Sequence, residues 1–176
     1  MFDREILSDL PMSGYRLVPG TEGNLGLPVE AFLHLYAVDK AGNVKRIRTL
    51  VDVLELVEEV RSEEDAMRLL TLETSPETHF LFDDGNVLDV RVSSTPERPG
   101  ELTERAAISG GYRPPSCVAV GDGFDLTRDL VRFDVDGRCD LFRRIEHISR
   151  AAKYSIIAET PIGTIDCSEV VLPEYE

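Results

Sequence analysis

Several features that would assign this chain quickly are scarce in it. It holds three cysteines, Cys117, Cys139 and Cys167, an odd number, widely spaced and without a Cys-x-x-Cys pair. That argues against a disulfide-dense scaffold and against the usual zinc or redox motif, and it predicts reduced, mostly buried thiols. No apolar run approaches the ~18 residues of a membrane span. The amino terminus, Met1-Phe2-Asp3-Arg4-Glu5, carries acids where a secretory signal needs positive charge. A cytoplasmic protein is the expectation.

Positive charge is scarce as well. Against 33 acids stand 19 lysines and arginines, a net of −14, and the imbalance is local. Residues 1–50 are neutral, residues 51–104 carry net −11 and residues 105–176 net −3. Binding to phosphate backbones or anionic lipid needs Lys and Arg to displace counterions, so neither nucleic acid nor membrane is an expected partner. A basic protein is. At 176 residues with 42% apolar content, the chain can fill one core as a single domain, residues 1–176, without a metal or disulfide staple.

Residues 1–30 form a loop-rich entry, punctuated by Pro11, Gly14, Pro19, Gly20, Gly23, Gly26 and Pro28, with room for a short strand at Tyr15 to Val18. Ala31 to Val38 and Val44 to Arg48, joined by Asp39-Lys40-Ala41-Gly42-Asn43, read as a hairpin. Two helix starts follow, Thr49 with Asp52 and Ser62 with Asp65, each a hydroxyl residue with an acid three positions on. Behind the first, Leu50, Val53, Leu54, Val57 and Val60 recur at helical spacing; behind the second, Ala66, Leu69 and Leu70 do. Thr78 to Phe82 and Val87 to Val92, around Asp83-Asp84-Gly85-Asn86, predict a second hairpin. A third is expected at Asp134 to Gly137, after Leu126 to Phe133; the segment 138–152 fits either period, and its flanks favour strand. The fold class is therefore α+β: a mostly antiparallel sheet of β-hairpins with a helical pair, about residues 50–74, packed on it. Residues 94–115, with four prolines and three glycines, make a connection long enough to cover a ligand.

The candidate chemistry is thin. Ala107-Ile108-Ser109-Gly110-Gly111 has part of a nucleophile elbow without its strand-turn-helix setting. Gly20 to Gly26 lacks the lysine and the following helix of a phosphate loop. The histidines, His34, His79 and His147, are not spaced as metal ligands, and Cys117 needs a base to act as a nucleophile. Asp83-Asp84 and Asp134/Asp136 sit where turns select aspartate for its own backbone, and Gly121-Asp122-Gly123 reads as a bend. No cofactor and no metal site is expected. What is left is the acidic run Glu58, Glu59, Glu63, Glu64 and Asp65, either a solvated face or a docking surface. The leading expectation is a non-enzymatic acidic interaction module, an adaptor or an immunity- or inhibitor-like protein. A small hydrolase or transferase with its site under the 94–115 loop, using Ser109, Cys117 or His147, is the alternative.

Overall fold

The computed structural model describes residues 7, 10–21, 33–75, 78–85, 87–90, 113–133 and 138–166. Among these residues two antiparallel sheets and two helices form the expected α+β fold. Strands β1 (Tyr15–Thr21), β2 (Leu33–Asp39) and β3 (Val44–Ile47) make the smaller sheet, in the order β1-β2-β3. The β2–β3 turn is built as its residues dictate. The Asp39 carboxylate accepts from the Ala41 and Asn43 N–H groups, each at 2.8 Å, and Gly42 takes the positive φ, +87°, that a Cβ would oppose.

Helix α1 (Leu50–Leu54) has a full capping box, Thr49 and Asp52 each satisfying the other's backbone. Helix α2 (Glu63–Thr71) is capped by Ser62, whose hydroxyl accepts from Asp65 N at 3.1 Å. The apolar stripe from Leu50 to Val60 predicts a longer first helix than the one found. The Leu56 and Val57 N–H groups bond back only three residues, and the chain is then drawn out of the helix, with Ser13 N donating to Leu56 O and Met12 bridging Val57. Val57 and Val60 are buried nonetheless, so the stripe records burial beyond the helix.

The larger sheet holds β4 (Val87–Asp89), β5 (Ser116–Val120), β6 (Gly123–Phe133), β7 (Arg138–Ser149) and β8 (Tyr154–Asp166). Its order is β4-β6-β7-β8, with β5 beside the first half of β6. Residues 138–149 are strand, and β6 and β7 pair as the third hairpin required; its turn lies outside the described residues.

The second expected hairpin is not formed. His79–Leu81 is a 3-10 turn: the Leu81 N–H donates to Thr78 O and the Phe82 N–H to His79 O, while the Thr78 hydroxyl bonds the Leu72 carbonyl. Leu81 and Phe82 are both buried, which period-two alternation does not allow. Gly85 serves close packing: a Cβ there would run into the His79 carbonyl oxygen. Strand β4 pairs with β6 instead.

One apolar cluster joins both sheets and both helices through Leu35, Ile47, Val53, Leu69, Leu70, Leu126 and Ile148. Strand register puts directly opposed residues on the same face of a sheet. Phe124, Leu126, Arg128 and Leu130 on β6, with Ile148, Glu146, Arg144 and Phe142 on β7, thus form the face towards the helices. The other face carries a second cluster: Leu88, Val90, Val131, Cys139 and Leu141.

Candidate functional site

Glu58 and Glu59 lie in the connection between α1 and α2, and Glu63, Glu64 and Asp65 form the first turn of α2. All but the half-buried Asp65 are exposed. The ridge is fixed from beneath: Val60 N donates to Arg150 O at 2.8 Å, and Arg150 Nη1 donates to Arg61 O at 3.3 Å. Several of its acids also have local partners. Glu59 faces Arg61 at 3.5 Å, Glu64 accepts from Arg68 at 2.7 Å, and Asp65 accepts from the Arg61 N–H at 3.1 Å. Glu63 accepts from the Ala119 N–H at 3.1 Å, which occupies a donor of edge strand β5.

Of the groups named for a hydrolase, the two that are described, Cys117 and His147, do not converge. Ser109 and most of the 94–115 loop lie outside the described residues, as do Asp134, Asp136 and residues 22–26. Cys117 stands opposite Leu126, on the face towards the helices, whereas His147 stands opposite Asp125 on the reverse face. The sheet separates them. Burial, with Glu63 and Asp125 nearby, pushes the Cys117 thiol up to about 11, the wrong direction for a nucleophile. His147 Nδ1 lies 2.7 Å from Asp125 Oδ1, and Ser155 is opposite His147 on β8; among the described residues no hydrogen bond joins serine to imidazole. His34 accepts from Arg46, and His79 packs edge-on against Phe80. No three metal-binding side chains gather among the described residues.

Neither a protein-family model, nor a curated protein, nor a solved structure matches this chain.

Two corrections concern charge and sulfur. Cys139 is fully buried and disulfide-bonded, with its partner outside the described residues, while Cys117 is free. The expectation of three reduced thiols is overturned, and with it one support for a cytoplasmic setting. No described helix is long and apolar enough to cross a membrane.

The second correction is a run of ion pairs that sequence reading missed. Arg128 and Glu146, both with fully buried side chains, form a two-point pair at 2.7 and 3.0 Å. Arg128 also donates to the Thr74 hydroxyl. Glu146 accepts from the Tyr154 hydroxyl at 2.8 Å and lies 3.6 Å from Arg144, and burial beside that carboxylate raises the pKa of the phenol. Arg144 in turn donates twice to Glu159, at 2.9 and 2.7 Å, and Glu159 faces Arg132 at 3.6 Å. Charge alternates along this ladder from the core to the surface. The signal was present in the strand period: positions 128, 144 and 146 share the phase of Leu126, Leu130, Phe142 and Ile148, where only apolar residues are expected.

Proposed function

We propose that this chain is a non-enzymatic interaction module that offers the acidic ridge Glu58, Glu59, Glu63, Glu64 and Asp65 to a basic protein. The observation that supports this best is the combination of exposed carboxylates with a backbone held by the Arg150 contacts and the Ser62 cap. A surface ordered before the encounter loses less entropy on binding. Five acids against Arg61 and Arg68 leave the ridge net −3, the sign that steers a cationic partner and repels nucleic acid and anionic lipid. Strand addition is a poorer mode of recognition here. The long edge strand β8 is broken by two register shifts and carries Pro161, and β5 has Glu63 on an edge donor.

The test is kinetic. Replacing Glu58, Glu59, Glu63 and Glu64 together by Gln slows association with a basic partner, and added salt slows the parent in the same way, because peripheral charges act mainly on encounter. A partner whose association rate and salt dependence were the same for both proteins would end this reading.

A further inference from the structure

The ion-pair ladder ends at a cleft of about 640 Å³ over the far ends of β6, β7 and β8, within the range of small-ligand sites. Its lining includes the apolar side chains of Phe142 and Pro161. Ile162, the extra residue where β8 shifts register against Leu141/Phe142, also borders the cleft and packs against the reverse-face cluster, so the bulge bends β8 beside the site. Arg132 and Asp140 both line this cleft and stand directly opposite each other on adjacent strands, yet they form no ion pair. Arg132 instead lies over the Phe142 ring, 4.6 Å from its centre, at ion-pair distance from Glu159. Its guanidinium makes no hydrogen bond among the described residues. The Asp140 carboxylate has neither a hydrogen bond nor an ion pair among them, and Thr164 stands beside it in register.

Opposite charges facing each other in register attract and ordinarily pair. Here each side chain is left with open valences towards one cavity among the described residues, and Glu159 Oε1, the oxygen nearest Arg132, already accepts two hydrogen bonds from Arg144. A purely anionic ligand would meet Asp140 and Glu159, and a purely cationic one would meet Arg132. A molecule carrying both charges on neighbouring atoms satisfies both groups. We propose that the cleft binds a free α-amino acid with an apolar side chain, its carboxylate on Arg132, its ammonium on Asp140 and Thr164, and its side chain against Phe142 and Pro161. The ladder behind the cleft positions Glu159 and thereby Arg132, so the site is formed before the ligand arrives. This site does not depend on the acidic ridge.

The experiment is calorimetric titration of the purified chain with L-phenylalanine, L-phenylalaninamide, which lacks the carboxylate, and N-acetyl-L-phenylalanine, which lacks the ammonium. Saturable binding of the amino acid is expected, with each blocked compound weaker by about tenfold or more, the usual cost of a lost charged hydrogen bond. Arg132→Gln and Asp140→Asn, both at exposed positions, should show the same loss with an unchanged melting temperature. L-leucine should bind as the parent compound does, and the four-Gln ridge variant should bind L-phenylalanine normally. Absence of heat with both amino acids, equal binding of a blocked compound, or full affinity in either single variant would overturn the proposal.

Discussion

Two regions of this molecule use the same side chains under opposite conditions. On the ridge of residues 58–65, glutamates and arginines meet in water; Glu64 and Arg68, for instance, are 2.7 Å apart with most of the carboxylate exposed. In the sheet, Arg128 and Glu146 meet at the same distance with no exposure at all. Geometry alone would rank the two pairs as equal. Solvent makes them different: an exposed i,i+4 pair contributes about 0.3–0.5 kcal/mol, while a buried ion stripped of its partner is an uncompensated charge in a poorly polarisable medium. The ridge charges thus stay solvated, and the buried charges of the ladder, Arg128 and Glu146, are committed to the fold.

Breaking the buried pair should give the largest effect. Glu146→Ala leaves Arg128 buried with, among the described residues, only Thr74 as side-chain acceptor, and should cost about 3–5 kcal/mol of unfolding free energy. Replacing both members, Arg128→Met with Glu146→Leu, should recover most of that loss, and chemical denaturation of the three variants measures it. A double variant no better than Glu146→Ala would mean that the ladder stabilises the sheet rather than only requiring completeness. Next in size is the disulfide. Reductant should lower stability by about 2–4 kcal/mol, and thiol titration of the denatured, unreduced chain should find one reactive thiol, that of Cys117, and three after reduction.

The two regions also differ in how readily the sequence reveals them. The caps at Thr49 and Ser62, the Asp39 turn and the β6–β7 hairpin follow from local chemistry, since each needs only residues a few positions apart. The region 78–90 misleads for the same reason. Asp83-Asp84-Gly85-Asn86 is good turn grammar, but Gly85 is selected by the His79 carbonyl packed on it, and β4 finds its partner more than forty residues away. The ladder and the cleft depend on register between three strands, and the bulges in β8 make that register unreadable from alternation alone. The acidic ridge was visible as composition; that its backbone is tied to Arg150 was not.

A smaller effect lies between the two regions, at Glu73. This half-buried carboxylate accepts from Leu50 N at 3.3 Å; burial, and then Asp84, raise its pKa, against the Leu50 N–H, Arg144 and Arg128, which lower it. The folded state therefore holds the proton more tightly than the unfolded chain. The contribution to stability is fully present below the ordinary glutamate pKa and is lost as pH rises through the folded value. Glu73→Gln keeps an acceptor for Leu50 and removes the desolvated charge, so it should raise the melting temperature at pH 7, with the gain shrinking on acidification. A gain that grew as pH fell would show that the arginines, not burial, dominate this site.

The smallest effect on stability should come from the most heavily altered variant. Replacing Glu58, Glu59, Glu63 and Glu64 by Gln changes four residues and removes four charges, yet all four side chains are exposed. Glu64 loses its pair with Arg68, and Glu59 loses its own with Arg61. Against that, repulsion among neighbouring carboxylates is relieved, and the amide oxygen introduced by Glu63→Gln can still accept from Ala119 N. The net change should stay within about 0.5 kcal/mol, as for surface substitutions generally. Glu63 and Glu64 in the first turn also favour α2 through its dipole, so the sign should tend slightly to destabilisation at low salt and vanish as salt screens it. Urea melts at two ionic strengths measure this. A loss of several kcal/mol would place these acids with Glu146 as part of the structure, and the ridge would then have no charge to spare for a partner.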